Sequence, residues 1–295
     1  MNEHLWQLPD RTVRIGLRPL IMGIVNVTPD SFSDGGQWLD PDRAVAHGLD
    51  LVEQGADLLD IGGESTRPGA DPVPLEEELR RVLPVIERLA KAVTVPISID
   101  TYKAETARQA LAAGASIIND VTALTGDPAM LEVAAQSQAA LLLMHMQGTP
   151  KTMQINPQYT DVVGEVYGYL EERLAVLARH GIGPQRVAVD PGIGFGKRLD
   201  HNLDLLAHVE RFQKLGRPVC LGVSRKGFIN RVLGRPGWVE TGNAGTLGVL
   251  LYAMSRQAVQ IARVHDVAAA HAAITLFAAL AERGSCHAGT PDSSV

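Results

Sequence analysis

The stretch LLDIGGESTRPGADPVPLEEELRRVLPVIERLAKAVTVPISID, residues 58–100, contains the unit that decides the fold. A short apolar run, Leu58–Ile61, leads into a polar, glycine-bearing turn. Leu79, Val82, Leu83, Val85, Ile86 and Leu89 then recur at the spacing of one helical face within Leu75–Ala92. A second apolar run, Val95–Ile99, closes the unit. Strand, helix, strand is the building block of a parallel sheet. The near-continuous apolarity of both runs suits strands covered on both faces.

The same alternation extends in both directions. Further strand candidates are Leu20–Val25, Ser116–Ile118, Ala140–Met144, Arg186–Val189, Val219–Gly222 and Val259–Arg263. Helix candidates between them are Asp42–Gln54, Ala104–Ala113, Asp127–Ala135, Val162–Arg179, Asn202–Leu215, Asn243–Met254 and Val267–Ala281. Eight strands alternating with helices predict an α/β fold, a (β/α)8 barrel forming one domain over residues 20–283. A doubly wound open sheet shares this local alternation, so the placement of the polar residues has to decide. Residues 1–19 read as an N-terminal extension, with alternating apolar positions in Leu5–Arg18 that predict a small hairpin plugging the barrel bottom. The last stretch, 284–295, is small and polar and is predicted to be a disordered tail.

The bulk numbers agree with a single globular enzyme-sized unit. The chain has 295 residues, 45% hydrophobic and 20% charged, and with only 4% aromatics its core has to be Leu, Val, Ile and Ala. A net charge of −6 argues against nucleic acid as a partner, though a local basic pocket for a small anion is compatible with it. Two cysteines, Cys220 and Cys286, without metal-ligand spacing fit a reduced, cytoplasmic setting. The opening MNEHLWQLPD has no basic start followed by an apolar stretch, and no apolar run nears the ~20 residues of a membrane helix, so neither a signal peptide nor membrane association is expected.

Polar residues collect at or just after the strand ends: Asn26, Asp60, Glu64, Thr66, Arg67, Asp100, Asn119, Asp120, His145, Asp190, Ser224–Lys226, Arg263 and His265. In a parallel barrel these ends converge on one mouth, where barrel enzymes hold their chemistry. Asp100 or Asp120 alone reads equally well as a helix cap, but a whole rim does not. The first loop, Asn26–Gly36, is longer than a strand–helix connection needs and suits a lid; plain turn chemistry at Pro29 and Gly35-Gly36 is the plainer alternative. The second loop, Gly62–Ala70, offers hydroxyls and one cation.

The run Asp190-Pro191-Gly192-Ile193-Gly194-Phe195-Gly196-Lys197 follows a strand, yet its glycine spacing is GxGxG rather than the dinucleotide GxGxxG. Here the glycines are expected to admit a flat ligand, with Phe195 offering a ring face. No phosphate-cradling P-loop and no GxSxG elbow occurs. Asp100, Asn119, Asp190 and Lys226 carry the donors and acceptors that read the edge of a flat heterocycle. Arg263, His265 and Asn26 suit a diphosphate with a divalent cation, and Mg²⁺ is expected because it binds through few protein oxygens plus phosphate oxygens. A zinc pair of His145 and His265 lacks a third ligand.

Taken together these blocks resemble the dihydropteroate synthase family. They are Met22–Gly36, Asp60–Gly69, Ser98-Ile99-Asp100-Thr101, Ile118-Asn119-Asp120, Leu143–Gly148, Asp190–Lys197, Ser224-Arg225-Lys226 and Arg263-Val264-His265-Asp266-Val267, in family order from about Leu20 to Val267. The resemblance implies condensation of 6-hydroxymethyl-7,8-dihydropterin diphosphate with p-aminobenzoate in a cytoplasmic homodimer. It implies that Asp100, Asn119, Asp190 and Lys226 hold the pterin, with Met144, Gly222 and Phe195 on its faces. Asn26, Arg263 and His265 would take the diphosphate, Asn26 also reaching Mg²⁺. Phe32, Thr66, Arg67, Pro68 and Ser224 would line the p-aminobenzoate pocket, and Asp100, Lys226 and Arg263 would carry the catalysis.

Two residues depart from the family pattern: Gly227 stands where many relatives carry Ser, and Tyr102 where a smaller residue is common. Two other functions compete, a pterin-dependent methyltransferase barrel and a non-catalytic pterin-binding paralogue. The methyltransferase has no need of the diphosphate loop or of the Ser224-Arg225-Lys226 and Arg263–Val267 blocks. The paralogue would be marked by loss of the first or second loop.

Overall fold

The computed structural model describes residues 3–28, 41–67, 69–234 and 239–287. Eight strands form one parallel sheet: β3 (Leu20–Asn26), β4 (Leu58–Gly62), β5 (Ile97–Asp100), β6 (Ile117–Asp120), β7 (Ala140–Met144), β8 (Val187–Asp190), β9 (Cys220–Leu221) and β10 (Ile261–Val264). Each pairs with its successor from β3 to β8, β9 pairs with β10, and β10 returns to β3. The ring closes through a parallel bridge between Val189 and Val219, where the Val189 N–H donates to the Pro218 carbonyl at 2.9 Å. This closure makes the fold a barrel and excludes an open doubly wound sheet.

Helices α1 (Pro41–Glu53), α2 (Leu75–Ala92), α3 (Ala104–Ala112), α4 (Met130–Gln136), α5 (Val162–Arg179), α6 (Leu199–Ala207), α7 (Gly227–Val232), α8 (Val239–Ser255) and α9 (Val267–His287) lie between and after these strands. Strand alternation sorts the side chains. Outward residues such as Ile21, Val25, Leu59, Ile61, Ile99, Leu141, Val189 and Leu221 form one large core with the helices. Inward residues at the strand starts, Met22, Leu58, Ile117, Ala140, Leu142, Ala188, Cys220 and Ile261, form a second cluster with Trp6, Leu8 and Ile15. Those last three come from an antiparallel hairpin, β1 (His4–Gln7) and β2 (Thr12–Ile15), that stops the lower end of the barrel. Trp6 is fully buried, and its indole N–H donates to the Arg186 carbonyl at 3.1 Å, satisfying the one polar group it takes inside.

Several boundaries differ from expectation. The segment read as one helix, Asn202–Leu215, is α6 followed by a 3₁₀ segment over Val209–Leu215. Val209, Phe212 and Leu215 recur every three residues, the 3₁₀ period, and the first two are fully buried. The tail expected from residue 284 is helical as far as His287, because an Ala-rich helix, once nucleated, propagates at little cost. Strands β5, β6 and β8 start and end one or two residues later than their apolar runs, so that Asp100, Asn119, Asp120 and Asp190 belong to the sheet itself.

Candidate active site

The inward alternation continues up each strand, and at the upper level it turns polar. Asp60 on β4, Ser98 and Asp100 on β5, Asn119 on β6, Met144 on β7, Asp190 on β8, Gly222 just past β9 and Arg263 on β10 occupy this level. Arg263 is gripped by two carboxylates: its Nε donates to Asp60 Oδ2 at 2.6 Å and its Nη2 to Asp100 Oδ2 at 2.8 Å. Asn119 Nδ2 donates to the same Asp60 oxygen at 3.0 Å. The other oxygen of Asp60 and the Ser98 hydroxyl are buried with no protein partner. Asp60 and Ser98 are direct neighbours across β4 and β5.

Burial dominates the electrostatics. It lifts Asp100 to about 7, Arg263 opposing and Asp60 adding to the rise. Burial also raises Asp190, against the hydrogen bond from Gly192 N–H (2.7 Å) and the charge of Lys226. Lys226 is pulled down to about 7 by burial, with Asp190 opposing and Arg263 reinforcing. Its Nζ lies 3.8 Å from the Phe195 ring centroid. A Cβ on Gly222 would come within 3.6 Å of Asp190 Oδ2 and 4.0 Å of Arg263 Cδ, so the glycine keeps the space between those two groups clear.

Beside this ring lies an anionophilic corner. Ser224 Oγ meets His265 Nδ1 at 3.0 Å and accepts from the His265 backbone N–H at 3.2 Å. His265 is held down to about 3, first by burial and then by the positive fields of Arg263, Arg225, Arg67 and Lys226. It is therefore neutral at pH 7, and the positive charge in this corner belongs to the arginines and the lysine. Asn26 ends β3 in register with Gly62. Thr66 and Arg67 sit on the loop after β4, while Phe32 and Pro68 lie outside the described residues.

A sequence profile of the family described as pterin binding enzyme matches residues 22–265. The dihydropteroate synthase of Neisseria meningitidis serogroup C is 48% identical over 284 residues, covering 95% of this chain and 99% of that protein. The Xanthomonas albilineans dihydropteroate synthase solved with 4-aminobenzoic acid superposes with a TM-score of 0.88 at 47% identity, covering 98% of this chain and all of the other. The same enzyme in complex with 7,8-dihydropteroate gives 0.81 at 46%, over 94% and 97%. The chain belongs to the dihydropteroate synthase family.

Within this synthase barrel, several features went unread in the sequence. Asp60 stood in the rim without a role; its fully buried carboxylate at an inward position of an otherwise apolar strand was the available signal. His145 Nδ1 contacts Lys197 Nζ at 3.0 Å, while His265 Nδ1 contacts Ser224. Among the described residues no group of three potential ligands is placed to hold a metal ion. Lys197 is almost fully buried, lowered to about 7 by burial, and also donates to the carbonyls of Phe195 (2.9 Å) and His145 (3.3 Å).

Two of the glycines of 192–196 are required by protein backbone, while a Cβ on Gly194 (φ +85°) would meet the Lys226 side chain at 3.1 Å. A Cβ on Gly192 (φ +69°) would fall 1.9 Å from the His145 carbonyl oxygen, and one on Gly196 (φ +63°) 2.5 Å from that of Gln147. Gly227 opens α7, and a side chain there would meet nothing within 4 Å. Tyr102 points its hydroxyl at Glu64 Oε1, 2.9 Å away.

Proposed function

We propose that this chain makes 7,8-dihydropteroate and diphosphate from 6-hydroxymethyl-7,8-dihydropterin diphosphate and p-aminobenzoate, by a dissociative route. The observation that carries the reading is Arg263 held between Asp60 and Asp100 at the barrel mouth, on one ring with Asn119 and Asp190, with Lys226 close enough to Asp190 to feel its charge. Asp100, Asn119, Asp190 and Lys226 present carboxylate, amide and ammonium groups to the edge of the pterin, and Met144, Gly222 and Phe195 face its rings. Arg263, Asn26 and neutral His265 receive the diphosphate. Thr66, Arg67 and Ser224, with Phe32 and Pro68, take the arylamine.

The donor set fits Mg²⁺ only in its sparing mode, one protein oxygen from Asn26 with the rest from diphosphate and water. Such an ion, when bound, neutralises charge on the leaving diphosphate. Arg263 adds fixed positive charge preorganised by its two carboxylates. The methylene C–O bond breaks with its electron pair leaving on diphosphate, and the resulting cation is delocalised into the pterin ring. Asp100 stabilises it by charge. The arylamine nitrogen then forms the new C–N bond, and its surplus proton passes to diphosphate or water. Catalysis thus rests on Asp100, Lys226 and Arg263.

The cytoplasm is the proposed location, consistent with a fully buried Cys220 and with no membrane-crossing helix among the described residues. A homodimer is proposed on the resemblance, and it is supported by Leu276 and Leu280, which are one turn apart on α9 and 62% and 64% exposed. The decisive experiment incubates purified protein with both substrates and Mg²⁺ and follows the two products. Equal amounts of dihydropteroate and diphosphate, lost on chelation, are expected; pterin diphosphate binding without product would leave a binding protein only.

A further inference from the structure

The loop after β4 is held at its neck by a buried set of charges outside the barrel channel. Glu64 Oε1 accepts from the Tyr102 hydroxyl at 2.9 Å, and its Oε2 accepts from the Val73 backbone N–H at 3.1 Å. Residues 64 and 73 are the two legs of the loop, so one carboxylate pins both. Lys103 Nζ donates to Glu64 Oε2 and to Glu78 Oε2, each at 2.5 Å, and Thr106 Oγ1 donates to the latter oxygen at 3.3 Å. Exposure of these side chains is 7% for Glu64, 1% for Glu78 and 17% for Lys103. Arg81 Nη1 adds a bond to the Gly63 carbonyl at 2.8 Å. The tip is held differently, by the exposed Lys151–Asp71 pair (2.7 Å) and by Gly69 N–H on the Pro150 carbonyl (3.1 Å).

Lys103 follows Asp100 by three residues, and Asp100 holds Arg263. The clasp therefore joins the neck of the loop bearing Thr66 and Arg67 to the strand end that carries Asp100. Burial and the neighbouring Glu64 push the Tyr102 phenol well above its usual range, so it stays a donor. We propose that Glu64, Tyr102 and Lys103 are positioning residues that set where the arylamine lies relative to the pterin, an inference that rests on the synthase reading above. They touch neither substrate. They act by holding the neck of the loop that carries Thr66 and Arg67, so their loss is read as weakened p-aminobenzoate binding with pterin binding spared.

The test is steady-state kinetics on Tyr102→Phe, Lys103→Met and Lys103→Arg, with pterin diphosphate binding measured in parallel. Tyr102→Phe removes one hydroxyl and no charge, so it reports even where Lys103→Met fails to fold. The expected result is a KM for p-aminobenzoate raised about threefold in Tyr102→Phe and about tenfold or more in Lys103→Met. Pterin diphosphate affinity should stay within twofold, and Lys103→Arg should recover part of the loss. An unchanged KM for p-aminobenzoate, or equal losses for both substrates, overturns the clasp while the unaltered enzyme still makes dihydropteroate. An unaltered chain that makes no product removes the functional reading, and the inference with it.

Discussion

On β4 the inward positions run Leu58, Asp60, Gly62; on β8 they run Ala188, Asp190; on β10, Ile261, Arg263. One step of two residues separates a dry lower half, closed by Trp6, from an upper half lined with ionisable groups. The lower half follows hydrophobic physics, each apolar area removed from water adding roughly 25 cal/mol per Å². The upper half works against it. Asp100 is lifted and Lys226 lowered, both to about 7, because burial penalises the charged form of each. Asp100 and Lys226 are thus charged at a cost that the surrounding structure bears, whereas Arg263 is pushed above its usual range because its two carboxylates outweigh its burial. Lower-half changes should cost stability and spare the chemistry, and upper-half changes should do the reverse.

The largest expected effect is on stability. Trp6→Ala should lower it by about 3–5 kcal/mol, the usual cost of emptying a large aromatic site, while kcat per folded molecule stays within twofold. Denaturant unfolding beside active-site titration checks this, and a large fall in kcat would mean the halves are not independent. Next comes Asp100→Asn. Turnover should drop about a hundredfold or more, pterin diphosphate binding far less, and Tm should hold or rise because a penalised charge is gone. A fall in Tm would show that the Arg263 pair stabilises the fold.

The smallest effect is a pH profile. Free-enzyme kcat/KM for the pterin diphosphate should fall about tenfold per unit below pH 7, as Asp100 takes up a proton, and Asp100→Asn should flatten that limb. The same raised pKa has a defined sign for stability. The folded state holds this proton more tightly than the unfolded chain. Asp100 therefore imposes no penalty below about pH 4, a growing one between 4 and 7, and a constant one above. Unfolding measured across that window in both proteins should separate the contribution.

Much of this division was legible before any coordinates. Apolar runs at regular intervals gave the barrel, and the rim gave Asp100, Asn119, Asp190, Lys226 and Arg263, because a polar residue ending a buried strand is conspicuous. What stayed hidden depends on contacts remote in sequence. Asp60 becomes the partner of Arg263 only when the chain folds back across a separation of 203 positions. Glu78 shares the buried face of α2 with Val82, Val85 and Leu89, and periodicity alone gives no cause to bury a carboxylate there. Its partner Lys103 arrives from the β5–α3 connection. Likewise Gly192 and Gly196 answer to carbonyls of residues 145 and 147, which no local pattern reveals.

The grip on Arg263 also orders events in time. Asp60 and Asp100 leave the ribosome 203 and 163 residues ahead of their arginine, which rides on the last strand. Any chain interrupted earlier has strands, helices and two carboxylates in search of a cation, but no active site. Contacts that distant also close slowly, since long loops have to be ordered before they are rewarded. Nascent fragments of this protein should thus be inert toward substrate however much secondary structure they acquire, and competence should arrive in a single step with β10.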